Sequence, residues 1–526
     1  MRKLIPVNRR KTPALSLRAN AKQPRRFVNI GIASSGEALL AKTSIALLAL
    51  TLAACAAVGP DYERRDPSLA GAFDEMNGEV YTDAEPVAEF WSSFDDPQLT
   101  RLVEGALAAN HDLRVALARL NQARALAGLQ RFDRYPTVTA GAAATENRIS
   151  EDQGFGAVGG DRNFRLYDLG ADAFWELDFF GRVRRSIEAA EAVVDASAAD
   201  LRAAQVSIAA EVARMYFELR GQQEQLDVAR RNADNQRETL RLTLARSDAG
   251  AGTDFDVARS RGLLEATLSR IPALEAGVRT AMHRLAVLNG REPAQLKAEL
   301  DSEQPLPKLP DAVAVGAPSE LVRRRPDVQA AERRLAAATA RIGVATADLF
   351  PRVTLNGTLG LTSASLGDLF SSGAVNYGFG PAIGWAFLDL GRVRARIAAS
   401  DADAEANLGL YEGTVLRALE EAENSLVGYT RAQRERDRLF ESAQANADAA
   451  DFARRRFEGG ISDFLQVLDA ERTLLESQDS FVRSRTRTAT ALVAVYKALA
   501  GGWPERVPAK LSSSVVPAKA GIDRRR

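Results

Sequence analysis

The sequence predicts a mainly α-helical chain with membrane-type β-strands, organised as a tandem structural repeat. Gly-Arg-Val-Arg occurs at residues 181–184 and again at 391–394, and a Leu-Asp pair precedes each copy. Before each copy apolar and polar residues alternate as in a half-buried strand. After each copy the pattern is helical and free of proline for about 65 residues. At ~1.5 Å per residue, each of these helices would be on the order of 100 Å long.

The first copy of the repeat is predicted at residues 98–304. Its elements are a helix that ends near Phe132, strands at 136–147 and 163–180, a long helix at 182–249, a tip, and a return helix at 254–289. The first helix ends before Tyr135 because a residue that precedes proline avoids the α region. Apolar residues recur every seven positions in the long helix, as in a coiled-coil seam: Ile187, Val194, Leu201, Ile208 and Met215.

The second copy is predicted at residues 319–503, after a proline-rich linker at 305–318. Its elements are a helix from Pro326, strands at 351–363 and 375–390, a long helix at 392–458, a tip, and a return helix at 463–500. An aromatic residue followed by proline ends the first helix of each copy, as Tyr135-Pro136 and as Phe350-Pro351. The two turns from helix to strand therefore correspond to each other.

Residues 1–54 have the features of a secretory leader. They carry ten Lys or Arg and one acid and end in a short apolar run, the arrangement of a signal peptide. The run is shorter than the ~20 residues that a membrane-spanning helix needs. Leu-Ala-Ala-Cys at 52–55 resembles a bacterial lipobox, so we expect a covalent lipid on Cys55, the only cysteine of the chain. Residues 55–97 are predicted as an extended N-terminal arm, and residues 504–526 as a disordered tail.

Composition and charge argue against several functions. Beyond residue 54 there are 59 basic and 68 acidic residues, a net charge of −9, so a nucleic-acid partner, which needs a basic surface, is not expected. His111 and His283 are the only histidines, and neither has a second His or a Cys nearby. No metal-ligand cluster, nucleophile elbow or phosphate loop is recognisable in the sequence. The chain is therefore predicted not to be an enzyme and to use no metal or other cofactor besides the lipid.

The predicted strands have the length of membrane-spanning strands. Each has about ten residues or more, as a transmembrane barrel requires, yet the chain offers only four. Open strand edges are not tolerated in lipid, so several chains would have to share one barrel, most simply as a symmetric ring. A structural periplasmic coiled-coil lipoprotein is the alternative. It would account for the heptads and Cys55 but not for amphipathic strands that contain Tyr167, Trp175, Tyr377 and Trp385.

These features resemble an outer-membrane factor of the TolC family, in its lipidated NodT/OprM-like branch. The resemblance covers residues 55–503. It rests on Val-Gly-Pro-Asp-Tyr at 58–62, the two Gly-Arg-Val-Arg junctions, Val-Leu-Asp-Ala at 467–470 and Leu-Ala-Gly-Gly-Trp at 499–503. The family implies a homotrimer with a shared 12-stranded β-barrel in the outer membrane and a long α-helical barrel across the periplasm.

The resemblance also implies a function and a location. Such a trimer is a passive conduit, lipid-anchored in the outer membrane and extending into the periplasm. Its energy comes from an inner-membrane pump that is joined to it through a periplasmic adaptor (membrane fusion) protein. We expect a pump of the resistance-nodulation-division type and a cargo of drugs or small toxic molecules. Polypeptide secretion and metal-ion efflux remain as alternatives, because the tunnel in this family does not identify its cargo.

The two helix-turn-helix tips are implied to form the periplasmic entrance and the docking surface for the adaptor. They correspond to about residues 249–257 and 458–466. Glycine permits the tight reversal, and Thr253 or Asp254 is a suitable N-cap of the return helix. The implied docking positions are Gly250, Gly252, Thr253, Asp254, Gly459, Gly460, Ser462 and Asp463.

Three residues near the tips are implied to control the entrance: Asp469, Gln466 and Asp256. Three copies of Asp469 would form a carboxylate ring, which narrows a pore and favours cations; the alternative is a solvated helix carboxylate. Gln466 stands where some relatives have a second acid. Asp256 matches a position that ties neighbouring helices together in some relatives, through an arginine that corresponds to Ser462 here.

The chain departs from some relatives at a further tip position, Phe457, where they have a tyrosine. With this tyrosine and the arginine both replaced, the contacts that close the entrance in those relatives cannot form here. We therefore expect other side chains to hold the closed entrance, with Arg454, Arg455 and Arg456 as the candidates.

Overall fold

The computed structural model describes residues 57–64, 69–74, 80–150 and 162–500. The predicted leader, Cys55 and the predicted tail lie outside the described residues. The described part is mostly helical and contains a four-stranded antiparallel sheet and a two-stranded parallel pair. None of its helices has the length and apolar character that crossing a membrane would require.

The elements follow the tandem order that the sequence predicts. The first half contains β1 (Tyr81–Thr82), a 3₁₀ helix (Phe90–Phe94), α1 (Pro97–Ala109), α2 (His111–Phe132), β2 (Thr137–Arg148), β3 (Asn163–Leu177), α3 (Arg182–Asp248), α4 (Asp254–Leu268), α5 (Ile271–Leu288) and α6 (Lys297–Leu300). The second half contains β4 (Val313–Ala314), α7 (Pro318–Arg324), α8 (Pro326–Ala347), β5 (Arg352–Ser363), two short 3₁₀ helices, β6 (Val375–Gly384), α9 (Leu390–Glu458) and α10 (Phe464–Ala498). Helices α3 and α9 have 67 and 69 residues, so each is on the order of 100 Å long.

Two helices that were predicted as continuous are each divided in two. The predicted helix from residue 98 to 132 breaks at Asn110, whose side chain accepts hydrogen bonds from the amides of Asp112 (2.8 Å) and Leu113 (3.3 Å) and so begins α2. The predicted return helix at 254–289 breaks after Leu268. Pro272 in the first turn of α5 lacks the amide hydrogen that would continue α4.

The predicted ends of two strands are also corrected. Strand β6 ends at Gly384 rather than at residue 390, and β3 ends at Leu177 rather than at 180. Beyond β6, the indole of Trp385 donates to the carbonyl of Leu349 (3.0 Å), and the indole of Trp175 within β3 donates to that of Arg134 (3.0 Å). Each repeat thus uses a tryptophan to fasten the end of a strand to the preceding turn from helix to strand.

The segment predicted as a linker at 305–318 has structure of its own. Within it, β4 pairs in parallel with β1 of the N-terminal arm, with Tyr81 opposite Val313. The described residues of the N-terminal arm also contribute to the main core. The ring of Phe90 stacks on Tyr496 (5.0 Å between centroids), and the ring of Phe94 meets Phe217 edge-on (4.9 Å). Burying an aromatic side chain stabilises the fold by roughly 2 kcal/mol, so the arm is an integral part of this core.

The four long strands form one sheet with the order β2-β3-β5-β6. Each repeat contributes a hairpin, and the two hairpins meet where β3 pairs with β5. The register places Ala142, Leu169, Leu361 and Val375 in one row across the sheet. The edges of the sheet are β2 and β6. Helices α3 and α9 lead away from this sheet, and their far ends turn back at the two tips.

The helix-turn tips as the candidate functional site

The first tip reverses the chain with a glycine in the left-handed conformation. Gly250 has φ of +73°. Its amide donates to the carbonyl of Ser247 (2.9 Å), and the amide of Ala251 donates to the carbonyl of Arg246 (2.8 Å). These two bonds form a Schellman motif, which satisfies the last carbonyls of α3. A Cβ atom at Gly252 would lie 3.1 Å from the amide nitrogen of Ser247, so the turn leaves little room for a side chain there.

The second tip repeats the same backbone motif at the end of α9. Gly460 has φ of +69°, and its amide donates to the carbonyl of Phe457 (3.0 Å). The amide of Ile461 donates to the carbonyl of Arg456 (2.8 Å). Gly459 has φ of −76°, which any residue can adopt. Of the two predicted glycines at this tip, only Gly460 is therefore required by backbone conformation.

Two of the predicted tip acids, Asp256 and Asp463, make hydrogen bonds at the first turn of the helix that follows their tip. Thr253 is the N-cap of α4 and forms a capping box with Asp256: the Asp256 amide donates to the Thr253 hydroxyl (3.2 Å), which donates to the Asp256 carboxylate (2.7 Å). Asp254 is the first residue of α4 and not its cap. Asp463 caps α10 by accepting a hydrogen bond from the amide of Gln466 (3.1 Å). Asp256 is therefore hydrogen-bonded to the N-cap of its own helix, three positions earlier in the chain.

The two other predicted entrance residues lie on the exposed surface of α10. Asp469 pairs with Arg472 one turn later (2.9 Å), and its side chain is 66% exposed. Gln466 is exposed as well. The hydroxyl of Ser462 is buried and has no hydrogen-bond partner among the described residues. The carboxylate of Asp469 is therefore exposed and paired with Arg472 of its own helix, and Ser462 does not take over the pairing role of an arginine.

A cavity of about 410 Å³ lies at the tips, between the first helical hairpin (α3 and α4) and the second (α9 and α10). Leu242, Arg246, Phe457, Phe464 and Val467 contribute to its lining. The guanidinium of Arg246 lies 4.4 Å from the centroid of the Phe457 ring, and that ring lies 5.2 Å from the Phe464 ring. The first contact joins the hairpins through a cation–π interaction, and the second joins α9 to α10.

Acidic side chains also line the cavity, among them Glu238 and Glu458. A hydrogen bond from Arg241 lowers the pKa of the Glu238 carboxyl, so this group is ionised at neutral pH. Two arginines, Arg246 and Arg454, line it as well, so the cavity combines aromatic and aliphatic walls with charged groups of both signs.

Sequence reasoning singled out Arg454 but missed the residue that binds it. Glu471 is 3% exposed, and its Oε1 atom accepts hydrogen bonds from Nε of Arg454 (3.0 Å) and from the hydroxyl of Thr239 (2.9 Å). Its Oε2 atom has no partner among the described residues. Arg455, a second candidate, pairs with Asp451 of its own helix (2.8 Å). The sequence carried no signal for the contact across the hairpins, because Thr239 and Glu471 are 232 residues apart.

The chain is a tandem repeat with a four-stranded sheet and two long helical hairpins, and comparison with known proteins identifies its family. Residues 102–291 and 317–501 match the family model described as outer membrane efflux protein. The chain is 34% identical over 463 residues to outer membrane protein OprJ of Pseudomonas aeruginosa, a match that covers 88% of this chain and 96% of the relative. It is 31% identical over 470 residues to the antibiotic efflux pump outer membrane protein ArpC of Pseudomonas putida, with the same two coverages.

A solved structure agrees with this assignment. The outer-membrane channel OprN superposes with a TM-score of 0.79 at 44% sequence identity, covering 85% of this chain and 99% of that chain. The chain belongs to the outer membrane efflux protein family. It is an outer-membrane efflux channel and not an enzyme, and this confirms the function and the fold class that the sequence predicted. A purely structural coiled-coil lipoprotein is ruled out.

Proposed function

We propose that three copies of this chain form a lipid-anchored outer-membrane channel that carries drugs or other small toxic molecules out of the cell. The sheets of the three copies would join into a 12-stranded barrel, and the long hairpins would form a tunnel through the periplasm. The channel is passive. Its cargo is delivered by an inner-membrane pump of the resistance-nodulation-division type through a periplasmic adaptor.

The observation that carries the proposal is the sheet with two open edges. Strands β2 and β6 each lack a partner on one side within the described part of the chain, and unpaired backbone groups cannot face lipid. Large apolar side chains of β6 are also highly exposed within one chain: Tyr377 and Phe379 are each 82% exposed and Ile383 is 71% exposed. Pairing β6 of one copy with β2 of the next would satisfy both edges and leave such side chains for lipid.

The start of the described chain supports a lipid anchor near the sheet. The amide of Val58 donates to the carbonyl of Phe180, just after β3 (3.1 Å). Ala57 lies against Gly181, where an added Cβ would approach the Ala57 Cβ to 2.4 Å. Cys55 precedes Ala57 by two residues, which span at most about 7 Å. A lipid on Cys55 would therefore enter the membrane beside the junction of sheet and helices.

The tips support the roles of entrance and docking surface. They expose the predicted docking positions around Gly250 and Gly460, and the cavity between them offers apolar groups and charged groups of both signs to a partner helix. Three copies of the exposed Asp469 would form the carboxylate ring that favours cations at the entrance. Drug-like cargo is supported by the relative ArpC, whose name describes antibiotic efflux.

The test compares accumulation of an ethidium-like dye in a deletion strain and in the same strain carrying the gene. Excess dye in the deletion strain, reversed by the gene, is expected for small-molecule efflux. Equal dye in both strains, with no second channel expressed, would contradict it. Mild cross-linking of the membrane fraction tests the assembly: we expect a band at three times the mass of the chain, and a band that stays at the mass of one chain would exclude the trimer.

A further inference from the structure

The β2–β3 hairpin extends beyond the four-stranded part of the sheet. The pairing of β3 with β5 ends where Tyr167 lies opposite Ser363. The ladder between β2 and β3 continues past this point and ends where Arg148 lies opposite Asn163. Helices α2 and α3 adjoin the other ends of these two strands. The two-stranded extension therefore lies at the end of the sheet that is remote from the helices.

The apolar face of the sheet has an aromatic residue near each end of β3. Side chains two residues apart on a strand share a face, so Tyr167 and Trp175 lie on the same face as Leu169, Ala171 and Ala173. From Tyr167 to Trp175 the strand covers about 27 Å, or about 20 Å along the membrane normal at the tilt of a barrel strand. Aromatic girdles border the apolar band of outer-membrane barrels, which is ~25 Å tall. Tyr167 therefore marks the edge of this band that is remote from the helices.

Immediately beyond this edge the same face carries two arginines. Arg165 lies two residues before Tyr167, and Arg148 lies opposite Asn163, the next residue of β3 on this face. Both arginines are exposed. Arg148 has no ion-pair partner among the residues that the structure describes. Arg165 lies 3.7 Å from Glu146, and these two side chains are 65% and 69% exposed, so the contact between them is weak.

The two arginines are close enough to bind one anion together. Arg165 is two residues away from the residue that Arg148 opposes, and the Cβ atoms of such diagonal neighbours on one face are about 7–8 Å apart or less. A guanidinium group matches a phosphate group through two parallel hydrogen bonds. Two arginine side chains at this spacing can therefore approach one phosphate from both sides. Glu146 offsets only one of the two positive charges on this face.

We propose that Arg148 and Arg165 bind the phosphate group of a lipid headgroup in the outer leaflet of the membrane. The inference rests on the proposed function, because this end of the sheet faces outward only if three copies form a transmembrane barrel with the helices in the periplasm. Position favours the phosphate of a lipid over a free phosphate ion. The arginines stand on the apolar, lipid-facing side directly beyond the aromatic edge, at the level of the headgroups, whereas soluble ions pass on the opposite face.

The first test measures binding of lipid A, a glycolipid with two phosphate groups, to the purified protein in detergent by native mass spectrometry. The double variant Arg148→Gln with Arg165→Gln should bind lipid A about tenfold more weakly, as expected for the loss of hydrogen bonds to a charged acceptor. Lipid A without phosphate groups should bind the wild-type protein no better than intact lipid A binds the double variant. Residues 364–374, at the same end of the sheet, include no basic residue that could substitute for the pair. The three acids of residues 151–161 stay unchanged in every variant.

The matched control is Arg394→Gln. Arg394 is an exposed arginine in the first turns of α9, at the other end of the sheet, so its substitution should leave the affinity for lipid A unchanged. An unchanged affinity in the double variant, or an equal loss in Arg394→Gln, would overturn the inference. Displacement of lipid A by an excess of inorganic phosphate would show a site for soluble anions and would overturn the assignment to a lipid.

The second test changes the acid on the same face and should have the opposite sign. Glu146→Gln removes the carboxylate that competes with a phosphate for Arg165, so the affinity for lipid A should rise about two- to fivefold. An affinity that does not rise would contradict a site that binds its ligand through positive charge.

Cross-linking of the same samples separates this inference from the proposed function. Absence of trimers from the wild-type protein would contradict the proposed function. A trimeric double variant that binds lipid A as the wild-type protein does would contradict only the phosphate site.

Discussion

The two Gly-Arg-Val-Arg junctions have the same sequence and different surroundings. At the first junction Asp178 accepts hydrogen bonds from the amides of Val183 (3.0 Å) and Arg184 (2.9 Å), and Arg182 makes two bonds to Glu176 (2.7 and 2.5 Å). At the second junction Asp389 occupies the N-cap position of α9 and makes no capping hydrogen bond with its side chain. Arg392 there pairs with Asp389 (2.9 Å) at the surface.

The residue after the shared motif explains much of this difference. In the first repeat it is Arg185, which is 4% exposed and donates to the carbonyls of Val58 (3.2 Å) and Gly59 (3.3 Å) and to the carboxylate of Asp61 (2.6 Å). In the second repeat it is Ala395. The motif thus determines where a helix begins, whereas the residue beyond it determines whether the N-terminal arm is bound at that junction.

Removal of the arm contact should have the largest effect on stability. Arg185→Ala leaves two carbonyls of the arm without their donor, and we expect a loss of about 3 kcal/mol in the free energy of unfolding. Urea titration of the purified protein in detergent measures this loss, and trypsin should cut the arm faster. The control Ala395→Arg places the missing side chain at the second junction, where we expect a change within about 0.5 kcal/mol. Similar losses in both variants would contradict the comparison.

A pair of corresponding glycines should respond with opposite signs. A Cβ at Gly343 would lie 2.8 Å from Cγ of Arg185 and 2.9 Å from the carbonyl oxygen of Val58, whereas a Cβ at Gly128, the equivalent position of the first repeat, meets nothing within 4 Å. We expect Gly343→Ala to cost about 1–3 kcal/mol by overpacking. We expect Gly128→Ala to stabilise its helix by roughly 0.5–1 kcal/mol. The same titration measures both, and equal signs would show that the arm does not distinguish the repeats.

Substitution of the equivalent motif arginines, Arg182 and Arg392, should give a smaller difference in the free energy of unfolding between the two junctions. The side chains of Arg182 and Glu176 are 29% and 10% exposed, whereas that of Arg392 is 71% exposed. We expect Arg182→Ala to lower the free energy of unfolding by about 1–2 kcal/mol and Arg392→Ala by less than about 0.5 kcal/mol. Raised salt should reduce the second effect further. A larger loss in Arg392→Ala would show that the second junction is buried in the assembled protein.

One feature should behave alike in both repeats. The Trp175 and Trp385 indoles make the same bond to a carbonyl, at 3.0 Å in each case. Trp175→Phe and Trp385→Phe should each cost about 1 kcal/mol, so the difference between the two repeats is expected to be the smallest of those compared. Thermal unfolding of the two variants, with the double variant to test additivity, checks this. Unequal shifts would indicate that only one of the bonds is maintained in the membrane.

Much of the candidate site could be predicted because its signals are local. The reversal at Gly250 and Gly460 depends on backbone conformations that glycine adopts most easily, and the caps at Thr253 and Asp463 depend on bonds across three residues. The contact between Thr239 and Glu471 could not be predicted in this way. Thr239 and Glu471 are 232 residues apart, and a single acid in a helical pattern does not reveal whether it faces solvent or another helix.

The repeat, the long helices, the amphipathic strands and the tips could be predicted, because each follows from periodicity or turn chemistry within a short window. How the equivalent parts of the two repeats differ is visible only in the folded chain. Folding placed the arm against one junction, joined β1 to β4, and buried Glu471 between two hairpins. These contacts join residues that are far apart in the chain. Whether such a contact forms depends on how both segments pack against each other, and a pattern within one segment does not contain this information.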